Sequence, residues 1–306
     1  MPSVTWLGSQ PGHVQYGDLL LGPGTGWSMV ADPPIQGWEE TVPIDSGTVL
    51  RPQQHGAWPG RQLGQTRTVT LNLIGRCEPG QASAVTRALA ARTPPDATDE
   101  VPLIVQLDDM PLLSWGRVVR RYVPPSTASR NGLIKGASLQ IVCTDPRRYQ
   151  LAEQTASTAL PAGEAGLAWG SPTETGLDWG SPTETGLAWG TPGSTGDITA
   201  VNAGDAPVHP VIEFRGPVTT PSITAGGLRL EYDITLAAGD VLVVDTWAGT
   251  VDLAGQSRLG TATLRSVPEG AFLLPSGSTT TLSFRASPGS TDPAASATVR
   301  WRSAYW

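Results

Sequence analysis

RTVTLNLIGR, residues 67–76, alternates strictly: Val69, Leu71 and Leu73 fall on one face, and Thr68, Thr70 and Asn72 on the other. A period of two is the mark of a half-buried strand, so this stretch sets the class of the fold. One helix follows. Within 80–92, Ala82, Val85 and Leu89 stand at helical spacing among alanines, Arg92 suits the negative end, and Pro94-Pro95 stops the run. A hairpin comes next, 101–107 with 112–123, turned at Asp108-Asp109-Met110-Pro111, and then a strand over 133–144.

Upstream of residue 67, turn residues dominate. Short strands are expected at 3–7, 18–21, 27–31 and 38–44, separated by Gly22-Pro23-Gly24 and Pro33-Pro34. Residues 51–66, RPQQHGAWPGRQLGQT, have no periodicity and read as a long loop, a feature that is usually functional or disordered in a compact domain. Residues 1–150 are therefore expected to form a β-sandwich flanked by one helix.

The far end of the chain has no helical pattern. Candidate strands lie at 197–202, 208–215, 228–230, 241–245, 250–253, 271–274, 280–285 and 297–302, with turn signals between them. Such spacing predicts a second all-β sandwich over 197–306, galectin-like or jelly-roll-like. Trp247 and Trp301, in or beside strands, are expected in its core.

Between the two, residues 151–196 form a connector holding one decapeptide three times: GLAWGSPTET from Gly166, GLDWGSPTET from Gly176 and GLAWGTPGST from Gly186. Ten residues are too few for a packed repeat unit, since solenoid periods are about two to five times longer. Glycine and proline keep such a chain extended. An inert linker needs no tryptophan. Trp169, Trp179 and Trp189 have no local core and are candidate interface residues; the alternative is an idle expanded linker.

Composition excludes several classes. Gly 36 and Pro 28 exceed a fifth of the 306 residues, which suits turns and short strands. A net charge of −7 leaves no basic footprint for sequence-specific nucleic-acid binding. The first residues lack the basic flank and apolar core of a signal peptide, and no apolar run is long enough to span a membrane, so a soluble product made in the cytoplasm is expected. Cys77 and Cys143 read as buried free thiols, although a pair is also compatible with the sequence.

Chemistry is sparse. Asp108-Asp109 are adjacent and beside a proline, so they read as turn formers. His13, His55 and His209 each stand without a second ligand at metal spacing, and neither cysteine has an activating histidine beside it. The Gly22–Gly26 run lacks the lysine and the following helix of a phosphate loop. No catalytic residue, cofactor or metal is expected, and the chain does not read as an enzyme.

Two segments carry a family likeness. The first half closes on Cys143-Thr144-Asp145-Pro146-Arg147-Arg148-Tyr149; the second opens Val201-Asn202-Ala203-Gly204-Asp205-Ala206-Pro207-Val208-His209-Pro210 and later reads Leu274-Pro275-Ser276-Gly277. Their order resembles the distal tail (Dit) proteins, or minor tail proteins, of long, non-contractile-tailed phages. The likeness covers both halves and leaves out the decapeptides, which read as an insertion at the seam between domains. It implies a structural virion protein at the tail tip, made in the host cytoplasm. Six copies would form a ring joining the tail tube protein to a tail-tip hub or tail-associated protein in the baseplate, with the tape measure protein a further partner. Acidic residues around Glu100, Asp108 and Asp109 would face the lumen and keep DNA sliding, since six copies at −7 each carry −42. The rival reading is a carbohydrate-binding adsorption module that recognises host glycans through the second domain's aromatics.

Overall fold

The computed structural model describes residues 4–29, 33–163 and 193–306. The chain forms two compact units, one of Met1–Ala152 with Ala304–Trp306 and the other of Glu153–Ser303. It is mainly β, with one α-helix among the described residues, as the alternation at 67–76 leads one to expect.

In the first unit, Arg67–Arg76 is a ten-residue strand whose odd positions are buried. It pairs antiparallel with Leu133–Cys143, which pairs in turn with the second half of Leu112–Tyr122. The first half of Leu112–Tyr122 takes other neighbours, Val101–Gln106 and Arg148–Gln150. The partner changes between Gly116 and Arg117, and a register shift follows just beyond, between Val118 and Arg120. Such a bulge bends its strand, so one strand serves two sheet faces. His13–Tyr16 and Leu19–Leu21 extend the first face beyond Val101–Gln106. Val14, Tyr16, Leu103 and Val105 share one core with Val69, Leu71, Leu73, Leu139 and Ile141.

The helix, Ala82–Arg92, adds Leu89 to that core. Its last carbonyls are met by a neighbouring strand: Arg121 Nη1 donates to Thr93 O at 2.6 Å and to Ala90 O at 3.3 Å. Arg92, the expected partner, instead lies 3.6 Å from Asp18. Gly75 is required by close approach: Trp27, its cross-strand partner, lies over it, and an added Cβ would sit 2.8 Å from the indole.

Two of the four strands expected in the first fifty residues are not formed. Residues 4–9 form none, and 38–44 is irregular apart from Ile44–Asp45. Trp38 is fully buried all the same, under the Arg148 guanidinium at 5.6 Å.

The second unit is a two-sheet sandwich. One sheet runs Gln154–Ala159, Ser296–Trp301, Val211–Arg215, Val241–Asp245, Thr250–Leu253 and Gln256–Ser257; the other runs Asp197–Asn202, Ser278–Arg285, Ser222–Ala225 and Leu228–Glu231. Phe214 stands 5.8 Å from Phe284 and 6.3 Å from Tyr232 in the core between them. The expected strand at 271–274 is a 3-10 turn, Glu269–Ala271, followed by a single bridge from Leu274 to Val208.

Three features lie outside what the sequence suggests. Gln154–Ala159, placed in the connector by composition, is a strand of the second unit paired along its length with Ser296–Trp301. The base of the decapeptide block is also within that unit: Ala162 and Ser194 exchange both main-chain hydrogen bonds, at 2.9 and 3.0 Å. The insertion therefore starts and ends inside the second unit, not at a seam between domains. Finally, Ala304–Tyr305 pairs with Arg148–Gln150, so the chain returns to the first unit at its end.

Candidate functional site

The tail of the first unit's sequence motif is a buried charge knot. Pro146 ends the pairing, and Asp145 turns back on its own segment: Oδ1 accepts from Arg147 N at 3.1 Å and Nε at 2.8 Å, while Oδ2 accepts from Arg147 Nη2 at 2.9 Å and from the Tyr149 hydroxyl. Burial pushes the Tyr149 phenol well above its ordinary range, with the Asp145 charge adding to it. Trp115 packs edge-on against Tyr149 at 5.5 Å. Arg148 points elsewhere, to Glu39 at 2.6 Å and to the main-chain oxygen of Trp306.

Arg67 joins this knot from the opening strand. Only 2% of it is exposed. Nε donates to Pro146 O at 2.8 Å, and Nη1 reaches Gly37 O, Trp38 O and Glu40 O at 2.9, 2.8 and 3.0 Å. Gly37 sits at φ +79°, and an added Cβ would strike Thr68 O, so the carbonyl is offered by a backbone only glycine adopts easily. Burial lowers the pKa of Arg67, and the nearby Arg148 charge lowers it further. No carboxylate pairs with it among the described residues. Its place was readable: Arg67 is in phase with Val69 and Leu71, the inward positions.

Beside Arg67 opens a cavity of about 310 Å³, lined by Glu39, Glu40, Val42, Ile44, Gly64 and Trp306 among others. From its rim rises an arm. Ile44–Asp45 pairs with Leu63–Gly64 at the base, and Val49–Leu50 with Ala57–Trp58 further out. The segment expected as a loop is thus two short ladders with exposed apolar side chains: Ile44, Val49, Leu50 (79% exposed), Trp58 (53%) and Leu63. A two-stranded ribbon is at best marginal in water by itself, and clustered exposed apolar residues mark interaction sites.

The acidic candidates are not brought together. Asp108 and Asp109 are exposed at the tip of the hairpin. Glu100 lies at the other end of Val101–Gln106, roughly 20 Å away along the strand, and its Oε1 accepts from Thr144 N at 3.1 Å and Oγ1 at 2.7 Å. Trp169, Trp179 and Trp189 lie outside the described residues.

In the second unit the lead-in motif has a structural explanation. Asn202 is buried; Nδ2 donates to Ala206 O at 2.8 Å and Pro275 O at 3.0 Å, and Oδ1 accepts from Gly204 N at 3.2 Å. One side chain ties the lead-in to the Leu274-Pro275 turn. Trp301 is buried as expected, with its Nε1 donating to Val201 O at 2.9 Å. Trp247 is not. Asp245 Oδ1 accepts from the N–H groups of Trp247 and Ala248, both at 2.9 Å, and turns the chain so that the indole projects, 51% exposed, 5.4 Å from the His209 ring.

The histidines do not suggest metal chemistry. His13 is buried, its Nδ1 accepting from Ser9 N at 3.1 Å and its Nε2 within 2.9 Å of Pro23 O. Among the described residues no three His, Cys, Asp or Glu side chains gather as a metal site. Both cysteines are free thiols; Cys143 is buried and Cys77 half-buried. No helix among the described residues is long and apolar enough to cross a membrane.

The fold, a helix-flanked β-sandwich with a second sandwich inserted before its last strand, is similar to that of a solved phage Dit protein. The solved structure that supports this is the SPP1 Dit (gp 19.1) protein, titled a paradigm of the hub adsorption apparatus in Gram-positive infecting phages. It matches with a TM-score of 0.62 and 13% identity over 96% of this chain and 99% of that one. The baseplate of phage P2 in its activated conformation with Ca matches at a TM-score of 0.47 and 8% identity, over 94% of this chain and 96% of that one. No protein-family model and no curated protein sequence matches the chain.

Proposed function

We propose that this chain is a structural virion protein, a distal tail adaptor. Six copies close into a ring that joins the tail tube to the tail-tip or baseplate complex and leaves an open lumen for DNA. The observation that carries this reading is the likeness to SPP1 Dit, which extends over nearly the whole of both chains, inserted second unit included. The exposed arm supports it. A ring needs a heterologous contact, one patch meeting a different patch on the next copy, and the arm offers an apolar patch with no counterpart in its own fold.

On this reading the partners are further copies, the tail tube protein, a tail-tip hub or tail-associated protein, and the tape measure protein. The place of action is the tail tip of the virion, and the role is non-enzymatic. Asp108 and Asp109 face the lumen and repel the passing DNA; Glu100, already bonded to Thr144, stiffens the chain at the other end of the same strand. Trp169, Trp179 and Trp189 anchor the insertion on a neighbouring subunit or a tip protein, so Trp179→Ala is expected to lower particle yield while leaving the unfolding midpoint of the isolated chain unchanged. An unchanged yield would return the insertion to an idle linker.

Native mass spectrometry tests the oligomer. A species at six times 32.0 kDa is expected; a 32.0 kDa species alone at high concentration contradicts the hexamer.

One observation favours a second reading for the inserted unit. Trp247 offers a half-exposed indole on a well-bonded turn beside His209, which suits stacking against a sugar ring. A host cell-wall glycan array probed with the full chain and with Trp247→Ala tests it. Binding lost in the variant supports glycan recognition, and silence from the wild type dismisses it.

A further inference from the structure

The cavity beside Arg67 has unused bonding capacity at two of its lining residues. Arg67 Nη2 makes no hydrogen bond to the described residues, although the side chain is buried; its four bonds come from Nε and Nη1. Glu40 takes part in no ion pair among the described residues, and its carboxylate meets only Gly37 N, at 3.1 Å. Val42, Ile44, Gly64 and Trp306 add apolar lining. Such a site suits a flat apolar group attached to a main chain: the body fills the volume, a main-chain carbonyl takes the Arg67 donors, and a cation meets Glu40.

The outer ladder of the arm carries such a group. Trp58 is half exposed, and the Arg51 guanidinium lies 5.4 Å from its ring centroid. Arg51 has no carboxylate partner among the described residues, and its Nε is buried without a hydrogen bond. The tip does not reach the cavity of its own chain, because the two ladders hold it five residues, roughly 16 Å, from the base.

We propose that the cavity receives the Trp58 side chain of a second copy, with Arg51 of that copy set against Glu40. This rests on the ring reading and names a contact that holds the ring together. Tip to base is a heterologous contact, so each copy gives one arm and accepts one. The knob and the hole differ in chemistry, which fixes the direction of the ring.

Disulfide trapping in the full chain tests the pairing. Thr41 lines the cavity and is exposed, as is Pro59 next to Trp58, so Thr41→Cys and Pro59→Cys alter neither core and leave Trp58 in place. A disulfide needs Cα atoms within about 7 Å. The double variant is expected to give, on oxidation, a covalent ladder of two, three and more chains ending at the ring number. Neither single variant gives it, which sets aside Cys77 and Cys143. In parallel, Trp58→Ala raises the concentration needed for assembly about tenfold or more, as truncation of an interface anchor does, and Trp58→Phe recovers part of the loss. Rings that form without a ladder, or an oxidised double variant that only cross-links within one chain, overturn this pairing and leave the ring reading intact. A chain that is monomeric in every form overturns both.

Discussion

Arg67 carries a positive charge into the interior, where its hydrogen-bond partners among the described residues are all main-chain carbonyls. Removing it leaves four carbonyl acceptors short of a donor, the costly half of a broken buried interaction. Arg67→Met is therefore expected to lower stability by about 3 kcal/mol or more, and Arg67→Lys to recover only part, since an ammonium lacks the fork that reaches Pro146 and Trp38 together. Urea unfolding midpoints measure both; a Met variant as stable as wild type would refute this role. Cys143 gives a pH test. Burial raises its thiol from 9.0 to about 11. A raised folded pKa means the neutral form is favoured by folding, so the stabilisation is complete below about pH 9 and is lost as pH rises through 11. It is on the order of 2 kcal/mol, and Cys143→Ala should flatten that part of the alkaline unfolding curve. Glu231 works with the opposite sign. Burial alone would raise its carboxyl, but the Thr263 hydroxyl and the Arg229 guanidinium outweigh it and hold the pKa low. Stability from Glu231 is present above the ordinary Glu range and is lost as pH falls through the depressed value, so Glu231→Gln should blunt the acid limb of the curve.

Elements were legible where their pattern was long. The ten-residue alternation at 67–76, the hairpin turned at Asp108–Pro111 and the helix before Pro94 are local signals, and the structure keeps all three. The arm was not legible, because its ladders are two residues each and its apolar side chains follow no period. The strand Gln154–Ala159 was not legible because QTASTA has no large apolar or aromatic side chain to mark an alternation; its partner Ser296–Trp301 supplies what its own sequence lacks. Trp247 was misplaced because proximity to a strand says nothing about the Asp245 turn that lifts it out. At this scale the bridge between Ala162 and Ser194 makes a prediction. It closes the base of the insertion, so deleting 164–192 should leave the second unit folded. Shortening the closed loop about eightfold lowers its closure entropy, which stabilises by up to about 2 kcal/mol. A collapse of the unit on deletion, seen as loss of cooperative thermal unfolding, would mean the insertion is part of its core.

Across the whole molecule, the chain leaves the first unit at Ala152 and comes back at Ala304. Only two residues of the returning strand pair, Tyr305 with Arg148 and Ala304 with Tyr149, too short a signal for any periodicity to reveal. The same motif, Asp145 to Tyr149, thus serves three needs: it ends one strand, receives Arg67 through Pro146, and seats the chain's return. That shared use explains why the charged groups of Arg67, Asp145, Arg147 and Arg148 are buried close together. Electron microscopy of the purified protein tests the central claim most directly. Closed six-fold rings with a central opening are expected, with Asp108 and Asp109 on its wall. A field of single particles at high concentration, without rings, would contradict it.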